Sequence, residues 1–158
     1  TPIAGNTLVF VAPRGPNARG PRPWTSPAQL LAPEVRRVAI GDPAAVPAGR
    51  YAQAYLVREG LWRALEPKLV PSASVRAALA AAARGAVDAA IVYASDAAVE
   101  PGVEVVFRVP PDRAPRIVYV AAVTRHARDA RAAARFVRFL REGDARRVFE
   151  RHGLQPVS

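Results

Sequence analysis

The sequence predicts an α/β fold, because short apolar strands alternate with helices along most of the chain. A β-branched strand at residues 37–40 leads through a turn into a helix at residues 48–59. A second strand, at residues 68–70, leads through serines into a helix at residues 75–84, and a third strand follows at residues 88–93. Strands that are each followed by a helix are typical of a sheet covered by helices.

The composition indicates a globular chain of one domain. It has 158 residues, and 51% of them are apolar, so a buried core of Val, Leu, Ile and Ala is expected. Cysteine is absent, which excludes disulfides and thiolate metal sites. No apolar run reaches the length of a membrane span. The first residues lack the basic start and apolar stretch of a signal peptide, so no signal peptide is expected in this sequence.

The formal net charge of +10 comes almost entirely from arginine, since Lys68 is the single lysine. Such a charge indicates nucleic-acid binding when it forms a basic patch interleaved with aromatic residues. Here the arginines are spread along the chain, so no nucleic acid is expected as a partner. A basic module that binds nucleic acid or another protein is kept as an alternative hypothesis for the function of the chain.

The first elements are predicted from apolar runs and from turn residues. A nearly continuous apolar run at residues 6–12 predicts a strand that is buried on both faces. Glycine and proline then predict a mobile loop over residues 14–23. Trp24 is expected to pack over the edge of the sheet. Ser26, which precedes a proline, indicates the capped start of a short helix at residues 28–31.

The turn at residues 41–47 joins the strand at residues 37–40 to the first long helix. Pro47 suits the first helical turn, where its missing N–H costs nothing. Ala48 and Gly49 leave their own amides uncovered, and a helix N-terminus presents unpaired N–H groups with a partial positive charge. The turn is therefore a candidate anion site. An ordinary strand–loop–helix joint without a ligand is the alternative.

The middle of the chain repeats this arrangement. Gly60 is predicted to end the first long helix, and residues 61–65 to form a further helical turn. A serine cap and a closing glycine bound the helix at residues 75–84. The strand at residues 88–93 leaves Tyr93 at its carboxyl end, and ligands of open α/β sheets bind beyond the carboxyl ends of strands.

The remaining predicted elements are a short helix, two strands and two tail helices: residues 94–99, 103–109, 116–123, 126–141 and 144–152. Ser95 is expected to cap the short helix, and residues 116–123 to be the longest strand. The tail helices carry an apolar face, which needs a sheet or another helix to cover it. The apolar residues of this face are Ala130, Ala133, Ala134, Val137, Leu140, Val148 and Phe149.

Three neutral donors are thus expected to face one point. They are the helix starts at Ala48 and Val75 and the hydroxyl of Tyr93. Two helix N-termini and a phenol form a donor-only pocket, which suits a desolvated dianion. Asp42, near the first helix start, is expected to cap local amides. Asp88 and Asp96 are read as capping or hinge groups, because an acid–base pair would repel the dianion.

Metal and nucleophile chemistry find no support in the sequence. His126 and His152 have no Asp, Glu or Cys at ligand spacing, so a metal site there is not expected. Ser72, Ser74 and Ser95 match no nucleophile motif, so hydrolase chemistry is not expected either.

Four motifs in this order resemble the periplasmic molybdate-binding proteins of ABC importers. They are Gly41-Asp42-Pro43 with Val46-Pro47-Ala48-Gly49 and Tyr51-Ala52, then Pro67-Lys68-Leu69, then Val75-Arg76 with Ala78-Leu79, then Ala90-Ile91-Val92-Tyr93 with Ser95-Asp96-Ala97. The resemblance extends from Gly5 to Gly153. It implies a type II periplasmic-binding-protein lobe, with a mixed, mostly parallel sheet flanked by helices.

The resemblance also implies a function and a site. The family's second-lobe ligands fall on Ala48 and Val75 through their backbone amides and on Tyr93 through its hydroxyl. They would hold molybdate or tungstate by hydrogen bonds alone, with no cofactor, no directly bound metal and no catalysis. The implied partner is the membrane permease of the importer, and the implied location is the periplasm.

Another tetrahedral oxyanion is the alternative ligand. Sulfate differs from molybdate mainly in size. Phosphate carries a proton at neutral pH and needs an acceptor, which a donor-only pocket lacks. Tungstate and molybdate have nearly the same dimensions, so both are retained.

The domain organisation implied by the resemblance has four parts. They are a crossover strand at residues 1–13, the second lobe at 14–114, a return crossover strand at 115–124, and C-terminal helices of the first lobe at 125–158. Family members begin with a further segment that builds most of the first lobe and contributes two serines to the oxyanion site. This chain is therefore expected to form a half-site. The missing first lobe or a second copy of the chain would cover the tail helices.

Overall fold

A computed structural model of the chain describes residues 1–17 and 22–157. The strands in those ranges are β1 (Pro2–Asn6), β2 (Leu8–Pro13), β3 (Val38–Gly41), β4 (Leu69–Ser72), β5 (Ala89–Tyr93), β6 (Val103–Arg108) and β7 (Ile117–Val120). The α-helices are α1 (Pro47–Arg58), α2 (Trp62–Leu65), α3 (Val75–Ala83), α4 (Ala94–Ala97), α5 (Ala130–Phe139) and α6 (Gly143–Arg151). Short 3-10 turns occupy Gly15–Asn17, Pro27–Leu31 and Glu66–Lys68. The loop predicted at residues 14–23 falls partly on residues 18–21, which lie outside the described residues.

These elements form two compact units. The central unit is Thr7–Pro115 and holds β2 to β6 with α1 to α4. The terminal unit is Thr1–Asn6 with Arg116–Ser158 and holds β1, β7, α5 and α6. In the described part of either unit, no helix is long and apolar enough to cross a lipid bilayer.

The central unit is built on a five-stranded mixed sheet in the order β4-β3-β5-β2-β6. β3 runs parallel to β4 and β5, and β2 runs antiparallel to β5 and β6. The predicted mixed α/β class is confirmed, with two parallel and two antiparallel pairs instead of a parallel majority. The strands of the parallel pairs are connected by helices, along the part of the chain from β3 to β5. β2 comes before that part, and it lies between β5 and β6 in the opposite direction.

The core lies on both faces of this sheet. All of β2 is buried, as predicted. Val9 and Val11 belong to a cluster with Leu79 of α3, whereas the ring of Phe10, on the other face, lies 6.1 Å from the ring of Tyr55 in α1. Because successive side chains of a strand point to opposite faces, α1 and α3 cover opposite sides of the sheet.

This placement of the two helices follows from the strand order. The chain moves from β3 to β4 on one side, and then from β4 past β3 to β5 on the other side. Right-handed crossovers in opposite directions put the two connecting helices on opposite faces. Both helices nevertheless begin at the same edge of the sheet, where the parallel strands end.

Most local predictions in the central unit are confirmed. Trp24 packs at the sheet edge, where its backbone N–H donates to the carbonyl oxygen of Val106 in β6 at 2.8 Å. Ser26 caps the turn that follows it, and Gln29 completes the capping box. Gly60 follows α1 with φ +72, a conformation that glycine adopts without strain. Ser26 and Gly60 act on residues close to them in the chain, so their roles can be predicted from the local sequence.

Three predicted details are wrong. Ser95 does not cap α4, because the helix begins at Ala94 with Tyr93 at the N-cap position. β7 is four residues long and shorter than β2; among the described residues its strand partner is β1, and beyond Val120 the pairing continues with the hydrogen bond from the Ala121 N–H to the Thr1 carbonyl oxygen. α5 begins at Ala130 and not at residue 126, because the side chain of Asp129 accepts a hydrogen bond from a first-turn amide and sets the start.

The terminal unit has a small core. β1 and β7 form a two-stranded antiparallel sheet, and Gly5 and Gln155 exchange backbone hydrogen bonds of 2.7 and 2.8 Å beside it. The buried apolar residues of its described part are Ala4, Ile117 and Ala145. Its large apolar residues with high exposure are Tyr119, Val120, Val123, Phe136, Phe139 and Val148. The amphipathic tail helices predicted from the sequence are present, and much of their apolar surface is uncovered.

Candidate functional site

The three predicted site residues lie at one edge of the central sheet. β4, β3 and β5 are neighbouring parallel strands, so their carboxyl ends share that edge. α1, which contains Ala48, begins beyond the end of β3, and α3, which starts at Val75, begins beyond the end of β4. Tyr93 is the last residue of β5. The edge where parallel strands end, with helix starts beside it, is the usual ligand position in open α/β sheets.

A backbone hydrogen bond joins the two turns that lead into these helices. The N–H of Asp42, just beyond β3, donates to the carbonyl oxygen of Ser72 at the end of β4, with a distance of 2.8 Å. This bond continues the parallel ladder, in which Gly41 is opposite Ser72. The starts of α1 and α3 are therefore held next to each other by the backbone.

The turn before α1 is closed by a side chain as well as by backbone bonds. Oδ1 of Asp42 accepts a hydrogen bond from the N–H of Ala44 at 2.9 Å. The carbonyl oxygen of Asp42 accepts from Ala45 and Val46 at 3.1 and 2.7 Å. The expected role of Asp42 as a cap for local amides is confirmed.

Two glycines allow α1 to start directly over the end of β3. A Cβ at Gly49 would lie 2.6 Å from the carbonyl carbon of Gly41 and closer still to its oxygen. A Cβ at Gly41 would lie 2.6 Å from Cγ1 of Val46. Any larger residue at either position would push the helix start away from the strand end.

The sequence predicts that first-turn amides of α1 and α3 donate to the ligand, and the structure shows where these amides lie. Ala48 is 1% exposed, and Val75 is half-buried. The amides of a first helical turn have no acceptor inside their own helix. Among the described residues, the Ala48 and Val75 amides donate to no protein acceptor, whereas the Ser74 side chain accepts from the amide of Ala77. Neither helix has an acidic residue in its first turn.

Tyr93 reaches the same edge from β5. It is half-buried and lies opposite Leu8 in the ladder between β5 and β2. The residue that follows it, Ala94, donates its N–H to the carbonyl oxygen of Thr7 at 2.9 Å, which fixes the end of the strand. The backbone position of Tyr93 is therefore set by β2 on one side.

The two other aspartates behave differently from each other. Oδ2 of Asp88 accepts from the amides of Arg36 and Arg37 at 2.8 and 2.9 Å, so its expected capping role is confirmed. Oδ2 of Asp96 is buried and accepts no hydrogen bond within the described residues, and a capping or hinge role of Asp96 stays a prediction. Burial raises the pKa of Asp96, and the nearby guanidinium of Arg76 opposes that rise.

Arg50 is a site feature that the sequence analysis missed. Its Nε donates to the carbonyl oxygen of Pro43 at 3.2 Å, and its Nη2 donates to that of Ala44 at 3.3 Å. It lies in the first turn of α1, so it places a cation where a helix normally favours an anion. That charge pattern is visible in the sequence and is the signal that could have found it.

The helix starts at this edge suit an anion, which remains a prediction for the three residues named from the sequence. Two helix starts present amides with partial positive charge, and Tyr93 ends the strand beside them. The described residues contain no group of three or more His, Asp or Glu side chains that could hold a metal ion. His152, in the terminal unit, has Nδ1 2.8 Å from the carbonyl oxygen of Val148.

Comparison with known proteins places the chain in a class. Residues 1–155 match the family of bacterial extracellular solute-binding proteins, and the chain belongs to that family. It is 38% identical over 156 residues to the molybdate-binding protein ModA of Escherichia coli (strain K12). This match covers 96% of this chain and 58% of ModA. It is 33% identical over 153 residues to the putative ABC transporter substrate-binding lipoprotein YvgL of Bacillus subtilis (strain 168), with 97% and 56% covered.

Solved structures agree with this assignment. The substrate-binding domain of a putative molybdenum ABC transporter from Clostridium difficile superposes with a TM-score of 0.88 and 26% identity, over 100% of this chain and 66% of that one. The periplasmic molybdate-binding protein of Azotobacter vinelandii shares the fold, with a TM-score of 0.75 and 21% identity. The resemblance stated from the motifs is confirmed. The chain spans between 56% and 59% of the length of the curated relatives it matches.

Proposed function

We propose that the chain captures molybdate or tungstate as part of the solute-binding component of an ABC importer. The observation that carries the proposal is the meeting of the α1 start, the α3 start and the end of β5 at one sheet edge. The 38% identity to a molybdate-binding protein supports the choice of ligand. Binding and release, without catalysis, is the activity expected of a solute-binding protein. The partner is then the membrane permease of the importer, and the location is the periplasm.

In this proposal the oxyanion accepts hydrogen bonds from three groups of the central unit. These are the backbone amides of Ala48 and Val75 and the hydroxyl of Tyr93. A dianion loses its hydration when it is bound, so each of its oxygens needs a donor, and the partial charges of two helix starts offset its charge. The absence of acidic residues from both first turns supports this arrangement, because a carboxylate there would repel the ligand.

We further propose that this chain provides only one side of the complete site. The organisation would be a crossover strand at residues 1–13, a second lobe at 14–114, a return strand at 115–124, and first-lobe helices at 125–158. The terminal unit buries few apolar side chains and exposes several large ones, which supports the proposal that a further protein surface packs on them. Either the rest of a first lobe or a second copy of the chain would supply that cover.

Titration of isotope-labelled chain with molybdate, followed by NMR, tests the proposal. We expect saturable shifts of the Ala48 and Val75 amides, with a dissociation constant of about 1 mM, because hydrogen bonds in an open half-site compete with water. Sodium chloride at matched ionic strength is the control, and sulfate and phosphate titrations test selectivity. Shifts that do not saturate, or that map to other residues, would contradict the site.

Calorimetry combined with light scattering tests the half-site separately. Weak binding, or binding that accompanies self-association, is the expected result. Tight stoichiometric binding of molybdate by a strictly monomeric chain would show that a second lobe is dispensable.

A further inference from the structure

Arg50 holds the turn that precedes the start of α1. Its two hydrogen bonds go to consecutive carbonyl oxygens, those of Pro43 and Ala44, so the guanidinium bridges back across the turn. Both acceptors precede Pro47, the first residue of α1. The cation is therefore fixed at the N-terminal end of the helix, on the segment that also positions the amide of Ala48.

Arg50 forms no ion pair with a carboxylate of the described residues, and the nearest acidic residue along the turn, Asp42, is hydrogen-bonded to the amide of Ala44. Among the described residues, no Asp or Glu oxygen lies within 4.0 Å of its guanidinium nitrogens. The other arginine near a helix start at this edge, Arg76 in α3, has the carboxyl of Asp96 as an electrostatic neighbour. Arg50 thus adds a full charge to the partial positive charge of the α1 start.

This placement is unfavourable for the empty helix. A cation near a helix N-terminus opposes the macrodipole, whereas a cation near the C-terminus is favoured. Arg58, in the last turn of the same helix, has the favoured position. The unfavourable position of Arg50 is offset when an anion binds at the helix start, because the anion interacts with both the dipole and the guanidinium.

We infer that Arg50 is a positioning residue of the oxyanion site, which closes the turn before Ala48 and supplies the charge that attracts the dianion. The inference rests on the proposed function. It assigns two separable effects to this side chain. The first is a clamp, the pair of hydrogen bonds that closes the turn, and it depends on the geometry of the guanidinium. The second is electrostatic attraction of the anion, which depends only on charge and is screened by salt.

Three variants separate these effects. Arg50→Gln removes both the charge and the clamp, and Arg50→Lys keeps the charge but not the two-point clamp. Arg58→Gln is the matched control, because it removes the same charge from the same helix and also breaks one bond to a carbonyl, that of Asp112. Eight residues separate Arg58 from Arg50, which is about 12 Å along a helix. That separation exceeds the Debye length of about 10 Å at 0.1 M salt.

The experiment is an NMR titration of each variant with sodium molybdate, at about 0.1 M and about 1 M sodium chloride, where the Debye lengths are about 10 and 3 Å. Far-UV circular dichroism and the amide spectrum confirm that each variant is folded. At the lower salt, we expect Arg50→Gln to weaken binding about fivefold and Arg58→Gln to leave it nearly unchanged. The difference between Arg50→Gln and the parent should shrink at the higher salt, and Arg50→Lys should stay closer to the parent.

Other outcomes would overturn the inference in distinct ways. If the parent binds molybdate and Arg50→Gln binds equally well at the lower salt, Arg50 has no role while the proposed function stands. Equal losses in Arg50→Gln and Arg58→Gln would show a general charge effect and not a positioned one. A loss for Arg50→Gln that is independent of salt would overturn the attraction by charge. Absence of binding by the parent would overturn the proposed site and this inference together.

Discussion

Gly49 in the first turn of α1 lies against the carbonyl group of Gly41 at the end of β3, with no room for a side chain between them. This contact places the start of α1 directly on the strand end. A helix start that is fixed this closely to a sheet presents its amides in one direction. Gly49 is therefore explained by packing of backbone against backbone, and Gly41 by the close approach of the Val46 side chain.

Gly49→Ala is predicted to destabilise the central unit by about 1–3 kcal/mol, the usual cost of overpacking. Urea unfolding followed by circular dichroism would measure the change. Gly5→Ala is the control, because a Cβ there would meet its nearest neighbour at an ordinary 3.5 Å. Equal stability of the Gly49→Ala variant and the parent would contradict the close approach.

Tyr93→Phe is predicted to weaken molybdate binding by about 1.5–3 kcal/mol in a protein with both lobes, the range for a hydrogen bond to a charged group. Ala48→Pro should cost at least as much, since it deletes the donor itself. Calorimetric titration measures both, and Tyr51→Phe is the matched control for loss of a tyrosine hydroxyl. Unchanged affinity in Tyr93→Phe and Ala48→Pro would show that the pocket lies elsewhere.

The central unit is predicted to lose stability between about pH 10 and pH 12. Burial raises the pKa of Tyr55 to about 12, with Glu59 adding to the rise and Arg113 and Arg58 opposing it. Because the folded pKa exceeds the unfolded value, the contribution of the neutral phenol is complete below about pH 10 and lost as the pH rises through the folded pKa. Unfolding midpoints measured across this range should fall less steeply in Tyr55→Phe. An equal slope in that variant would contradict the prediction.

The terminal unit is predicted to exchange its amide hydrogens faster than the central unit, because few buried apolar contacts protect it. Phe136 and Phe139 stack with ring centroids 6.3 Å apart and are 59% and 49% exposed, so they are also expected to promote association of the chain. Hydrogen exchange and light scattering measure the two effects. Phe136→Ser should reduce association, and an unchanged scattering profile in that variant would argue against this surface.

The local features of the fold could be predicted from the sequence because their causes are local. Ser26, Ser74 and Gly60 act within a few residues of themselves, and each was predicted correctly. β1 was not predicted as a separate strand, because it pairs with residues 117–120, which lie more than a hundred positions away. The family resemblance implied one crossover strand over residues 1–13, whereas the residue types of β1, which include Ala, Gly and Asn, do not by themselves favour a strand.

The same distinction applies to the site. The amides of Ala48 and Val75 follow from strand, turn and helix signals, so they could be proposed as donors from the sequence. Outside the site, just before β4 begins, the Nζ of Lys68 donates to the carbonyl oxygens of Leu30, Leu31 and Ala32 at 3.3, 3.0 and 3.0 Å, and these bonds join segments far apart in the chain. A single lysine among 22 arginines is noticeable, yet its partners depend on the tertiary fold.

The bond between the Asp42 amide and the Ser72 carbonyl has a consequence for the kinetics of capture. If an oxyanion binds at this edge as proposed, the two turns are already linked, so the ion does not have to order either of them and little conformational entropy is lost on this side. Encounter with such a rigid edge is governed by diffusion and charge. Differences in affinity among bound oxyanions should therefore arise in how slowly each one leaves.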